Sequence, residues 1–115
     1  MKTWLFTLCV MIAWLLPGSA ADQAPPWEKS RLRAGQALYR ENCVVCHDIA
    51  GFPSKKPGPS FYQLFKRTKM PISSGKPNRE YIKVRVKFGG PLMPAFRNWL
   101  TEAQIDTLID YIESR

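Results

Sequence analysis

Histidine, cysteine and acidic side chains are scarce in this sequence. Its 115 residues contain one histidine, three cysteines and nine Asp and Glu residues against 17 Lys and Arg residues, for a formal net charge of +8. The length allows one small domain and excludes most multi-domain enzymes. A domain of this size buries only about 60–65% of its unfolded surface, so we expect a cofactor, a metal or a disulfide to complete its core.

Long apolar runs are also lacking, except for one at the N-terminus. Lys2 precedes an apolar run at 4–16, which Pro17-Gly18 and the small residues 19–21 follow. This order is typical of a secretory signal peptide cleaved after Ala21. The run is shorter than the ~20 apolar residues that span a bilayer, so we expect no stable membrane anchor. We therefore expect a cleaved signal peptide at 1–21, a flexible leader at 22–27, a folded domain at 28–115 and a periplasmic location.

Two cysteines and the single histidine of the predicted mature chain form one motif. Loss of the signal peptide removes Lys2 and lowers the net charge to +7, and it leaves Cys43 and Cys46 as the only cysteines. Together with His47 they form C-x-x-C-H, the attachment motif for c-type haem. Each thiol can bond to one haem vinyl group, and the imidazole then becomes the proximal iron ligand.

Three other interpretations of this motif are possible. Two cysteines in an oxidising compartment can form a structural disulfide, but their spacing favours haem attachment. A thioredoxin-like C-x-x-C motif requires a βαβ context, which the sequence does not contain. A zinc site requires four ligands, and no further cysteine or histidine is available.

Residues from about 28 to 115 resemble a class I (monohaem) cytochrome c of the bacterial periplasmic type. The resemblance rests on four segments besides the motif: Gly35-x-x-x-Tyr39, Gly58-Pro59, Met93-Pro94-Ala95-Phe96 and a final helix that ends in Tyr111-Ile112. It implies an all-α fold, with three to four helices wrapped around one covalently bound haem c.

The resemblance also implies roles for individual residues. Met93, in a loop of glycine and proline, corresponds to the sixth iron ligand, and the carbonyl of Pro59 to the acceptor of the proximal imidazole N–H. Gly35 corresponds to the glycine at which the last helix crosses the first, with Tyr39 and Tyr111 as the interlocking aromatic pair. Met70 matches no ligand position, so we expect a surface or gap-filling residue.

Helices are predicted at about 27–41, 60–67 and 101–115. The last begins with a capping box at Thr101 and Gln104 and continues with isoleucine and leucine at helical spacing. The segment 82–88 is ambiguous, because its strict alternation of β-branched and charged residues is typical of a strand. The resemblance implies a helix there, and Asn78 as N-cap and Gly89 after its end favour it. We expect a helix.

Positive charge is concentrated in the middle of the chain. Residues 49–97 contain eleven Lys and Arg residues against Glu80 alone, whereas residues 98–115 sum to −3. Such charge can serve solubility alone, but we expect it to dock the acidic face of a periplasmic redox protein. The expected docking residues are Lys55, Lys56, Lys83, Lys87 and Arg97. Export makes nucleic acid an unexpected partner, and a membrane surface is the lesser alternative.

These features predict an electron carrier that is not itself an enzyme and that exchanges single electrons between periplasmic proteins. Two alternatives stay open. The chain can be the haem subunit of a larger oxidoreductase, or a haem protein with a labile distal site that acts as a peroxidase or small-ligand sensor. The second alternative requires displacement of Met93 and usually a polar distal group, and the chain has no second histidine.

Overall fold

The computed structural model describes residues 24–115; the predicted signal peptide and residues 22–23 lie outside the described residues. Within this range there are three α-helices, α1 (Pro26–Asn42), α2 (Arg79–Phe88) and α3 (Glu102–Glu113), and two 3₁₀ turns, Leu64–Lys66 and Phe96–Asn98. The described range contains no strand beyond one isolated bridge in a loop. The predicted all-α cytochrome c fold is confirmed. None of the helices in residues 24–115 is long and apolar enough to cross a bilayer.

Helix α1 begins with a proline at its first position. Pro26 has no N–H to leave unpaired there, which is why proline is tolerated at the start of a helix. The helix thus starts one residue before the expected Trp27 and includes the last two residues of the predicted leader. The side chain of Trp27 is 69% exposed.

Helices α1 and α3 cross in backbone contact at Gly35. A Cβ atom there would lie 2.5 Å from the carbonyl oxygen of Thr107 and 2.6 Å from the Cβ of Tyr111. The rings of Tyr39 and Tyr111 pack beside this point, with 5.9 Å between their centroids. Only glycine allows this approach, which accounts for a residue that otherwise weakens a helix.

Helix α2 resolves the ambiguous segment in favour of the helix. The side chain of Asn78 accepts the N–H of Tyr81 at 2.8 Å, which caps the first turn. Ile82 and Val86, four residues apart, are the buried residues of the helix. Gly89 ends it with a φ of 70°, a conformation that favours glycine. The burial of two residues four positions apart therefore stabilises a helix, although the alternating pattern is typical of a strand.

The helix expected at 60–67 is wrong. Ser60 is buried, and its hydroxyl donates to the carbonyl of Gly51 at 2.5 Å and accepts the N–H of Tyr62 at 3.1 Å. Gln63 then adopts the left-handed conformation, with a φ of 49°. A residue in that conformation cannot continue a right-handed helix, so only the short turn Leu64–Lys66 forms.

Helix α3 supplies most of the core. Both hydrogen bonds of the predicted capping box are present, Gln104 N–H to Thr101 Oγ1 at 3.2 Å and Thr101 N–H to Gln104 Oε1 at 2.8 Å. Its apolar face is at most 1% exposed and packs against α1 and α2; it consists of Ile105, Leu108, Ile109 and Ile112. The helix predicted from its periodicity is confirmed.

An ion-pair network joins all three helices on the outside of this core. The carboxylate of Asp110 in α3 pairs with Arg31 of α1 and, at 2.6 Å, with Arg79 of α2. Arg79 also pairs with Glu113. The pairs are partly exposed, so each contributes little, but the shared carboxylate of Asp110 links the three helices.

Candidate haem site

A cavity of about 430 Å³ lies between the end of α1, the following loops, α2 and the loop after α2. Its volume is in the range of sites that hold an organic cofactor. The lining is mostly apolar, but it includes two thiols, one imidazole and two thioethers: Cys43, Cys46, His47, Met70 and Met93. The structure thus brings the motif and the predicted methionine ligand, which are far apart in the sequence, to one cavity.

The two cysteines follow directly on the end of α1. The chain turns there because the carbonyl of Cys43 accepts the N–H of Cys46 at 3.1 Å and that of His47 at 2.9 Å. Both cysteines are free thiols, Cys43 buried and Cys46 half-buried. Burial, with a smaller contribution from Cys46, raises the pKa of Cys43 to about 12. A protonated thiol is a poor nucleophile, because the reactive form is the thiolate. The raised pKa therefore argues against a redox-active dithiol.

Three contacts fix the imidazole of His47. Its Nδ1 lies 2.7 Å from the carbonyl oxygen of Pro59, which as an acceptor places the ring proton on Nδ1 and leaves Nε2 for a metal. The ring of Phe61 stacks on it at 4.3 Å with an interplanar angle of 14°. At Gly58 a Cβ would lie 2.5 Å from Cε1 of the imidazole. The ring therefore has little freedom to rotate.

The surroundings of His47 favour the neutral form of its imidazole. Burial lowers the pKa of His47 below its ordinary value, against the opposing effect of the hydrogen bond to Pro59, and the nearby ammonium of Lys56 lowers it further. The neutral form is the one that binds a metal.

The loop that carries Met93 is closed by backbone hydrogen bonds. Gly90 and Met93 bond to each other in both directions, at 2.9 and 3.2 Å. At Gly89 a Cβ would overlap the carbonyl oxygen of Met93. The methionine is half-buried and packs against the core. Glycine at 89 is therefore required both for the turn and for the position of the methionine.

Met70 and Phe61 are lining residues to which sequence reasoning gave no role at this cavity. Met70 is half-buried and packs against the core. Of the two roles expected for it, a surface residue and a gap-filling residue, this position fits the second. Its loop is closed by its N–H, which donates to the carbonyl of Gly75 at 2.8 Å. Two sequence features could have suggested a position at the cavity: the proline after Met70, and the location of Phe61 shortly after Pro59. Neither feature is specific.

Two of the expected docking lysines pair with carboxylates of the same chain, which leaves less of their charge for a partner. Lys83 of α2 pairs with Asp106 at 2.8 Å and with Glu102 at 3.3 Å, both in α3. Lys87 pairs with Glu102 as well. The basic middle and the acidic end of the sequence are neighbours in the fold, so their charges largely cancel there.

The other expected docking residues differ from one another. Lys56 turns inwards and pairs with Asp48 at 3.0 Å. Arg97 lies over the ring of Phe88, 5.2 Å from its centroid. Lys55 is exposed. Within residues 24–115 four lysines are exposed and have no carboxylate partner, all of them in the loops between α1 and α2: Lys55, Lys66, Lys69 and Lys76.

The donor set fits a covalently held haem. Two thiols spaced for vinyl groups, an imidazole with a free Nε2 and a mostly apolar lining are the features that such a group requires. A family model described as "Cytochrome C oxidase, cbb3-type, subunit III" matches residues 30–112 of the chain. A search of curated proteins gave no match. The match and the motif together identify the cofactor as covalently bound haem c.

Proposed function

Because the chain belongs to the cbb3-type cytochrome c oxidase subunit III family of c-type cytochromes, we propose that it is an exported monohaem carrier of single electrons between periplasmic redox proteins. One observation carries the proposal, namely the convergence of Cys43, Cys46, His47 and Met93 on a single cavity. The sequence at 1–21, with its pattern of an export signal, supports the periplasmic location.

In this proposal Cys43 and Cys46 would hold the haem through thioether bonds, and His47 and Met93 would be the side chains that bind its iron. The haem supplies one-electron oxidation and reduction when bound. The Pro59 carbonyl keeps the proton on Nδ1 and makes the imidazole a better donor. The apolar lining excludes water, and a thioether ligand favours the reduced state, so both raise the reduction potential.

The optical spectrum of the ferric protein tests the ligand assignment. We expect a methionine–iron charge-transfer band that is lost in Met93→Ala and retained in Met70→Ala. The second variant is a matched control, since both methionines line the same cavity and both are half-buried. Loss of the band in Met70→Ala alone would refute the role of Met93. A high-spin ferric wild type that binds cyanide or CO rapidly would instead favour the labile distal site.

The second candidate is a permanent haem subunit of a larger oxidoreductase. The description of the family, which names an oxidase subunit, favours it. So do two exposed apolar residues at the cavity, Leu92 at 95% and Ile72 at 81% exposure, which a partner could cover. Purification of the native protein separates the candidates: a fixed stoichiometry with other subunits supports the subunit, and a monomer free of partners supports the shuttle.

The acidic face of a redox partner is proposed to dock on the four exposed lysines in the loops between α1 and α2. Lys56, Lys83 and Lys87, which the sequence also suggested, are left out because each of them pairs with a carboxylate of the same chain. Exposed charges of one sign steer an oppositely charged protein and raise the association rate. Paired charges have no such effect, because their fields cancel at a distance.

A further inference from the structure

Lys56 lies against the haem-attachment segment, although its sequence context suggested a surface lysine. Its Nζ donates to the carbonyl oxygen of Val44 and lies 3.5 Å from that of His47. The same group pairs with the carboxylate of Asp48 at 3.0 Å, and the side chain is 31% exposed. The preceding residue, Lys55, is exposed. One ammonium group thus contacts three residues of the haem-attachment segment, Val44, His47 and Asp48.

A small hydrogen-bond network holds this ammonium in place. The hydroxyl of Ser54 donates to the carboxylate of Asp48 at 2.6 Å and accepts the N–H of Lys56 at 3.0 Å. The loop at 54–56 is therefore bound to the segment 44–48. The hydroxyl of Tyr39, from α1, donates to the carbonyl of His47 at 2.7 Å. The position of the ammonium is therefore set by the fold and does not depend on a freely rotating side chain.

We infer that Lys56 is a positioning residue that anchors the haem-attachment segment and raises the reduction potential of the bound haem. The inference rests on the proposed role of His47 as the proximal ligand. A fixed positive charge disfavours the oxidised state, since that state carries one more positive charge than the reduced state. Partial burial weakens screening by solvent and salt, so the effect is larger than that of an exposed lysine.

The carboxylate of Asp48 carries the opposite charge at the same place, 3.0 Å from the ammonium of Lys56. It therefore offsets part of the effect of that ammonium on the haem.

The reduction potential of the haem-loaded full chain tests the inference by optical redox titration. For Lys56→Gln we expect the equilibrium constant of reduction to fall about three- to tenfold, a range typical of one charge at intermediate dielectric, where tenfold corresponds to 59 mV for one electron. Lys55→Gln removes the same charge from the neighbouring exposed position, and we expect a change of less than about twofold. Lys56→Arg keeps the charge and should keep the potential.

Asp48→Asn supplies the test of sign. Removal of the carboxylate leaves the ammonium unopposed, so the potential should rise, whereas simple loosening of the segment would admit water and lower the potential in both variants. Equal shifts in Lys55→Gln and Lys56→Gln, or a fall in both Lys56→Gln and Asp48→Asn, would overturn the inference. If Lys56→Gln does not mature, the rise in Asp48→Asn and the unchanged potential of Lys56→Arg decide the matter.

The methionine–iron band separates this test from that of the proposed function. If the wild-type protein lacks the band, the ligand assignment and the carrier proposal fail, whatever the potentials are. If the band is present in the wild type and the variants, and the potentials of Lys56→Gln and Lys55→Gln agree, only the role of Lys56 fails.

Discussion

Substitution of Gly35 by alanine should destabilise the protein, although alanine is the better helix former. The added Cβ would lie 2.5 Å from the carbonyl oxygen of Thr107 and 2.6 Å from the Cβ of Tyr111, so α1 and α3 must separate by about 1 Å to reach van der Waals contact. Neither obstacle is the end of a flexible side chain. Overpacking of a tight core costs about 1–3 kcal/mol and occasionally more, and this site belongs at the upper end.

Alanine recovers about 1 kcal/mol of helix propensity relative to glycine, which leaves a net loss of about 2 kcal/mol. For a domain of this size that loss corresponds to a fall in melting temperature of roughly 8–16 °C. Thermal unfolding of the haem-loaded protein, followed by circular dichroism, measures it.

Gly51→Ala is the matched control. A Cβ at that position would have no atom within 4 Å, and we expect a melting temperature close to that of the wild type. A Gly35→Ala protein as stable as the wild type, or more stable, would refute the reasoning. Helix propensity would then decide the outcome, and the two backbones would not lie in contact.

Three further predictions concern the ion-pair network, the histidine and the lysine surface. The hydrogen bonds from two arginines lower the pKa of Asp110 despite its partial burial, so its contribution to stability is present above the ordinary value of 3.8 and is lost as the pH falls below it. The difference in melting temperature between wild type and Asp110→Asn should therefore vanish at acidic pH; a constant difference contradicts this. In Gly58→Ala the new Cβ would displace the imidazole of His47, and we expect altered low-spin absorption bands; an unchanged spectrum contradicts the close contact. Oxidation of the reduced protein by the anionic reagent ferricyanide should slow at low salt in Lys69→Gln by about twofold, and less in the control Lys83→Gln, whose charge is already paired. Equal rates in the two variants would show that only total charge matters.

The parts of the fold with strong local signals could be predicted. The capping box and the isoleucine and leucine spacing of α3 are satisfied within one segment, so no distant contact was needed to identify the helix. The segment 82–88 could not be assigned from its local pattern alone. Its alternation suits a strand, whereas the spacing of Ile82 and Val86 suits a helix. Contact of those two residues with the core decides between them, and that contact belongs to the tertiary structure.

Sequence patterns were least informative where a local pattern competes with a distant partner. Ser60 and its neighbours could begin a helix, but the hydroxyl of Ser60 bonds to Gly51 and Gln63 turns left-handed. The charges of Lys83 and Lys87 looked available because their carboxylate partners lie in another segment of the chain. Folding brings α2 beside α3, and a sum of charges along the sequence does not detect that proximity.

Because histidine and cysteine are scarce in this protein, its chemistry could be inferred from the sequence alone. With a single histidine beside two correctly spaced thiols, residue identity and spacing were enough to indicate covalent haem, because both are encoded within five residues. Which charges are free, which methionines line the cavity and where Lys56 points depend on segments far apart in the chain. Only packing determines those distances, and electrostatic and steric effects depend on distance in space, not on separation along the sequence.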